Sequence, residues 1–285
     1  ELERINEIAG SMGKTARISL RINPDVDPKT HPYISTGMKK NKFGLDMEKS
    51  LEVYKSAQAM NAVEPIGIDC HIGSQLTTIE PFLEALDKLI AFYNSLKELG
   101  MDIKYLDLGG GLGISYNEEE PPHPKEFGEA LTARLKDLDL TLILEPGRVI
   151  AGNAGVLITK AIYTKTTPSK EFVIIDGAMN DLIRPALYDS YHRIAPVKED
   201  AGRELVNYDV VGPICESSDF LARDRELPEI KPGELLAVFS AGAYGFTMSS
   251  QYNSRTRACE LIVDKDKVIV ARKRETYEDL VALEV

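Results

Sequence analysis

The feature that most limits what this chain can fold into is an alternation, over roughly its first 150 residues, of short apolar runs with segments of helical period. Runs at 17–23, 65–71, 103–108 and 141–144 have the length and apolar character of strands, and the first ends in the breakers Pro24-Asp25-Val26-Asp27-Pro28. Between them, 46–60 carries Met47, Leu51 and Tyr54 at helical spacing. A longer segment starting near Pro81 lines up Phe82, Leu86, Leu89, Tyr93 and Leu96 and stops at Gly100. A third, 124–138, stacks Phe127, Leu131, Leu135 and Leu138. Strand, loop and helix repeated at about 30–40 residues predict βα units on a parallel sheet, because parallel neighbours need a long crossover between them. Such sheets put their chemistry in the loops that follow the carboxyl ends of strands.

A closed (β/α)8 barrel needs eight such units, and four are present. Beyond about residue 155 the pattern changes to short β-rich runs at 156–163, 172–175, 205–211, 235–239, 258–263 and 268–272. Turn-like segments such as 228–233 and 264–267 separate them. These predict a mainly antiparallel β domain with Greek-key or barrel-like connections. The expected division is therefore an α/β part at 1–155 and a β domain at 156–285.

Charge and composition narrow the setting. With 45 acidic against 34 basic side chains the net charge is -11, which repels a phosphate backbone and argues against nucleic acid. No apolar run reaches the roughly 18–20 residues that span a bilayer, and Glu1-Leu2-Glu3-Arg4 does not read as a signal peptide. A cytoplasmic enzyme without membrane contact is the expectation. Cys70, Cys215 and Cys259 are far apart with no C-x-x-C pair, and His31, His71, His123 and His192 lack ligand spacing, so neither disulfide nor metal is expected.

Several loops hold residues that carry chemistry. Gly109-Gly110-Gly111-Leu112-Gly113 directly follows a strand and reads either as a tight turn or as a loop whose N–H groups converge on a phosphate. It lacks the Gly-Lys-Ser/Thr ending of a Walker loop. Glu145-Pro146-Gly147-Arg148 sets a carboxylate and a guanidinium at a strand end. They either pair with each other or meet, respectively, a basic ring nitrogen and a substrate carboxylate or phosphate. His71, in Cys70-His71-Ile72-Gly73-Ser74, is either structural or an imidazole packed on a planar cofactor, with Ser74 near a phosphate. Cys215-Glu216-Ser217-Ser218-Asp219 reads as a solvated acidic loop or as a site whose thiol donates a proton. Arg184-Pro185-Ala186-Leu187-Tyr188 and Ala241-Gly242-Ala243-Tyr244-Gly245 complete the set and, taken singly, read as structural loops.

HIGS at 71–74, GGGLG at 109–113, EPGR at 145–148, RPALY at 184–188, CESSD at 215–219 and AGAYG at 241–245 occur in one order along the chain. That order resembles the pyridoxal-phosphate decarboxylases with an alanine-racemase-like barrel. The stretch 21–44 is similar too, and the resemblance covers essentially the whole chain. EPGR and the glycine loop are shared with members that act on ornithine and arginine, whereas CESSD and RPALY point to the branch acting on diaminopimelate. The resemblance implies pyridoxal 5′-phosphate as cofactor. Its phosphate would lie on Gly109, Gly110 and Gly111 with help from Ser74 and Tyr244, and Gly147 and Arg148 would belong to the same cofactor-binding set. His71 would stack on the ring, and Glu145 would keep the ring nitrogen protonated. Arg148, Arg184 and Tyr188 would hold the distal carboxylate of the substrate, Glu216 its distal ammonium, and Tyr244 would line the same site. Cys215 would reprotonate the carbanion, reaching across a homodimer with shared active sites. The implied reaction converts meso-2,6-diaminopimelate to L-lysine and carbon dioxide, the last step of lysine biosynthesis.

One departure stands out. The family's Schiff-base lysine sits on the first barrel strand, and no segment here matches that strand; Lys14, Lys39, Lys40 and Lys42 lie around the fifth-strand equivalent. The resemblance thus implies the C-terminal half of a (β/α)8 TIM-like barrel, in agreement with the four units counted independently. The competing readings are a decarboxylase of ornithine, arginine or carboxynorspermidine, and a non-catalytic homologue that binds partners.

Overall fold

The computed structural model describes residues 1–27, 42–198, 200 and 202–285; the stretch 28–41, with His31, Lys39 and Lys40, lies outside the described residues. The chain divides into two units, Glu1–Ile114 with Glu119–Ile150, and Ser115–Glu118 with Ala151–Val285.

The first unit runs α1 (Leu2–Ser11), β1 (Ala16–Asn23), β2 (Leu45–Asp46), α2 (Met47–Gln58), β3 (Val63–Asp69), α3 (Glu80–Glu98), β4 (Tyr105–Asp107), α4 (Pro124–Leu135) and β5 (Thr141–Ile143). Its strands form one parallel sheet in the order β2-β1-β3-β4-β5. Each long helix starts where its sequence says it should. Asp46 caps α2 by accepting from the Lys49 N–H at 2.9 Å, and Pro81 and Pro124 occupy first-turn positions of α3 and α4, where no donor is lost. Gly100 ends the α3 segment at φ 76°, a conformation glycine adopts at no steric cost. On α3 the stripe Phe82, Leu86, Leu89, Tyr93 and Leu96 is buried. Full burial of each leucine contributes about 1.5–3 kcal/mol. Phe82 meets Phe127 of α4 edge-on with centroids 4.8 Å apart, and the buried Tyr54 hydroxyl of α2 donates to the Gly67 carbonyl at 2.6 Å. Helix α1 was not foreseen, although Leu2, Ile5, Ile8 and Ala9 recur at helical spacing; of its residues only Ala9 is fully buried.

The second unit contains α5 (Arg148–Ala151, which straddles the division), β6 (Leu157–Thr166), β7 (Glu171–Ile175), α6 (Arg184–Tyr188), β8 (Ile194–Pro196), β9 (Leu205–Val211), β10 (Phe220–Pro228), β11 (Leu235–Val238), β12 (Glu260–Asp264), β13 (Lys267–Arg272) and α7 (Tyr277–Val281). Six strands form a sheet in the order β10-β9-β7-β6-β11-β8, antiparallel except for the parallel pair β7 and β9. Two strands of this unit escaped the sequence reading for identifiable reasons. β10 carries the charged run Arg223-Asp224-Arg225-Glu226, and Asp224 sits at φ 46° where the register with β9 shifts, so alternation is erased. β8 is three residues long and ends in Pro196, which its place at the sheet edge tolerates. RPALY, expected as a loop, is the short helix α6.

Candidate active site

In the first unit, the loops after β3, β4 and β5 are stitched together by backbone hydrogen bonds. The Glu145 N–H donates to the Gly109 carbonyl at 2.9 Å, Leu76 N–H to the Gly111 carbonyl at 2.9 Å, and Gly113 N–H back to the Leu76 carbonyl at 2.9 Å. Three of the sequence-predicted groups are thereby brought together: His71, the glycine loop and Glu145. Gly109 lies at φ 70°, and a Cβ there would stand 2.5 Å from the Cys70 carbonyl oxygen and 2.9 Å from His71 Nδ1. At Gly110 a Cβ would collide with the Glu145 carbonyl oxygen. The glycines thus permit a three-loop approach that no other residue allows. Their N–H groups have partners inside the loop: Gly109 donates to Asp107 Oδ1 at 2.9 Å and Gly110 to His71 Nδ1 at 3.2 Å.

An imidazole whose Nδ1 accepts is neutral, with its proton on Nε2. Burial, and then the nearby Arg21 guanidinium, hold His71 below the ordinary histidine range, in keeping with that form. Ser74 Oγ accepts from Arg148 Nη2 at 3.1 Å, and the Arg148 side chain is buried. Behind them, Arg21, Asp69 and Asp107 share one level of the sheet through the registers Arg21–Asp69 and Asp69–Asp107. Burial, then Asp107, pushes Asp69 up to about 6. Gln75 was missed. Its amide bridges both ways to Ile114, donating at 2.6 Å and accepting at 3.1 Å, from a backbone at φ 62°. The left-handed conformation that makes this clamp has no signature in a lone glutamine.

The second unit organises the other candidates. Arg184 opens α6 and is buried, with Tyr188 one turn on along the same helix face. In the CESSD loop, Asp219 is a structural anchor. Its two oxygens accept the N–H groups of Met179 at 2.7 Å and Ile214 at 2.6 Å, and burial outweighs these bonds in raising its pKa. Cys215 and Glu216 stay exposed on the loop so formed. Glu216 accepts from Ser218 and from the Tyr252 hydroxyl, the latter at 2.6 Å; these bonds, Ser218's first, hold its carboxyl below the usual range. Tyr252 is a further residue the sequence reading missed. Tyr244 is exposed and sits at φ 58°, strain rarely tolerated by an aromatic residue, beside Gly242, where a Cβ would collide with the Ala151 carbonyl oxygen.

The donor set of the first unit fits a phosphorylated pyridine: a neutral imidazole for a ring face, an exposed carboxylate for the ring nitrogen, and a serine–arginine pair beside a close-packed glycine loop. Residues 1–152 match the family model described as the pyridoxal-dependent decarboxylase, pyridoxal binding domain, and the chain belongs to that family. Within it, the chain is 54% identical over 285 residues to the diaminopimelate decarboxylase of Haemophilus influenzae, covering all of this chain and 68% of the relative. The Vibrio cholerae diaminopimelate decarboxylase is 55% identical, again over all of this chain and 68% of its own length. Among solved structures, diaminopimelate decarboxylase from Helicobacter pylori complexed with L-lysine superposes with a TM-score of 0.94 at 47% identity, covering 99% of this chain and 70% of that one. The fold is the alanine-racemase-like kind, with a partial barrel and a β domain. Among the described residues no helix is long and apolar enough to cross a membrane, and no histidine, cysteine and carboxylate cluster offers a metal site.

Proposed function

We infer that this chain carries out the pyridoxal-phosphate-dependent decarboxylation of meso-2,6-diaminopimelate to L-lysine and carbon dioxide. The observation that carries the reading is the convergence of His71, the glycine loop and Glu145 at the ends of β3, β4 and β5, in a chain about half identical to diaminopimelate decarboxylases. Bound pyridoxal phosphate supplies an electron sink for the pair left on the α carbon as carbon dioxide departs.

Each residue then has a proposed task. Glu145 would hold a proton at the ring nitrogen, and neutral His71, whose Nδ1 accepts from the Gly110 N–H, would lie against the ring without adding charge. Gly111, Ser74, Gly147 and Tyr244 hold the phosphate end, and Gly109 and Gly110, whose N–H groups are engaged by Asp107 and His71, shape the loop around it. Arg148, Arg184 and Tyr188 take the distal carboxylate; guanidinium groups suit it because they bind carboxylates bidentately. Glu216, kept ionised by Ser218 and Tyr252, takes the distal ammonium, with Tyr244 beside it. The Cys215 thiol returns a proton to the α carbon. We further propose that the two units are the pyridoxal-binding part and a C-terminal β domain, that the enzyme is a homodimer with Cys215 supplied across it, and that it works in the cytoplasm.

The test is carbon dioxide release from meso-diaminopimelate with added pyridoxal phosphate, with ornithine and arginine as comparison substrates. Release from diaminopimelate alone is expected. Faster release from ornithine or arginine would move the assignment to the neighbouring branch, and no release from any substrate by holoenzyme that includes the Schiff-base lysine would favour a non-catalytic binding protein.

A further inference from the structure

Arg184 is held by two aromatic side chains to which the reading above gives no role. Its Nη1 lies 2.8 Å from His192 Nε2, and its Cζ sits 4.5 Å over the ring of Tyr116. His192 is wholly buried. Its other nitrogen, Nδ1, is 2.8 Å from the carbonyl oxygen of Phe239. A carbonyl only accepts, so Nδ1 carries the proton. A guanidinium only donates, so Nε2 presents its lone pair to Arg184. The two bonds together specify the neutral ring with the proton on Nδ1, one tautomer of three possible forms. A protonated ring would set an N–H against the Arg184 guanidinium. Tyr116 packs edge-on against the same imidazole at 5.2 Å, and the His192 carbonyl is fixed by Arg225 Nη1 at 2.7 Å.

We propose that His192 and Tyr116 are positioning residues that set the Arg184 guanidinium, by one lone pair and one ring face, for the distal carboxylate of the substrate. Arginine otherwise has four side-chain torsions to settle on binding, and fixing one nitrogen and the guanidinium plane beforehand removes most of that freedom. This rests on the reading of Arg184 as a carboxylate ligand. Neither residue touches the reacting carbon in the proposal, so the effect belongs in substrate affinity rather than in the chemical step.

The test compares two competitive ligands of the cofactor-loaded enzyme: L-lysine, which retains the distal carboxylate, and 1,5-diaminopentane, which lacks it. His192→Phe keeps a ring but has no lone pair. It is expected to weaken L-lysine and raise KM for diaminopimelate by roughly tenfold or more, the lower end of what losing a bond to a charged group costs. The constant for 1,5-diaminopentane and kcat should stay within about twofold. His192→Gln, whose amide oxygen reaches the Nε2 position, should recover most of the loss. If His192→Phe does not fold, Tyr116→Leu tests the same cradle and should weaken L-lysine selectively. Equal weakening of both ligands, or of neither, overturns the proposal. Arg184→Gln separates it from the underlying reading. If that variant leaves L-lysine binding unchanged, Arg184 is not the carboxylate ligand. If it weakens L-lysine while His192→Phe and Tyr116→Leu do not, only the positioning role fails.

Discussion

Replacing Asp69 by asparagine should make the protein more stable at neutral pH, and the gain should vanish in acid. Asp69 ends β3 with Asp107 paired beside it on one side and Arg21 on the other, and Glu145 is a further acidic neighbour. Burial and these carboxylates outweigh the arginine and raise the group from 3.8 to about 6. The folded protein therefore binds this proton more tightly than the unfolded chain. Its contribution to stability is fully present below about pH 4 and is lost as pH rises through about 6. At 1.36 kcal/mol per pH unit the whole difference is about 3 kcal/mol. Asp69 is only partly buried, and solvent screening reduces the expected gain to about 1–2 kcal/mol. Asparagine keeps the shape and removes the charge, so above pH 7 the variant should melt about 2–6 °C higher. Below pH 4 the two proteins should coincide. Thermal melts at a series of pH values check this. A variant no more stable at pH 7.5, or one whose gain is the same at every pH, would refute the account.

Three further outcomes follow from the site. Gly109→Ala places a Cβ against the Cys70 carbonyl and the His71 ring from a left-handed backbone that itself costs alanine about 1–2 kcal/mol; cofactor affinity, read by absorbance titration, should fall at least tenfold. Cys215→Ala should slow turnover by a factor on the order of a hundred, the range for losing a positioned acid, while cofactor absorbance is unchanged; an unaltered rate removes the proposed proton transfer. Tyr252→Phe removes a 2.6 Å hydrogen bond to Glu216, so that carboxyl's pKa rises and the acid limb of the kcat/KM profile moves to higher pH. An unmoved limb would show that Glu216 does not govern it.

What the amino-acid sequence determined by itself is what depends on local period and local geometry. The apolar stripe of α3, the proline starts of α3 and α4 and the four principal strands of the parallel sheet are legible because neighbours along the chain suffice to specify them. The motif order likewise points to the family, and the glycine loop shows where backbones must approach closely. Tertiary structure alone decided which groups serve which others. Asp219 looked like an acid beside a thiol and is an anchor for the loop, because its oxygens meet N–H groups 40 and 5 residues away. His192 and Tyr252 are ordinary residues in the sequence, and their contacts with Arg184 and Glu216 exist only once the chain brings them together. β10 is a strand despite its charged run because β9 supplies its hydrogen-bonding partner. Periodicity reports the burial of a face; pairing between distant residues, tautomer choice and left-handed backbone depend on contacts that no local pattern encodes.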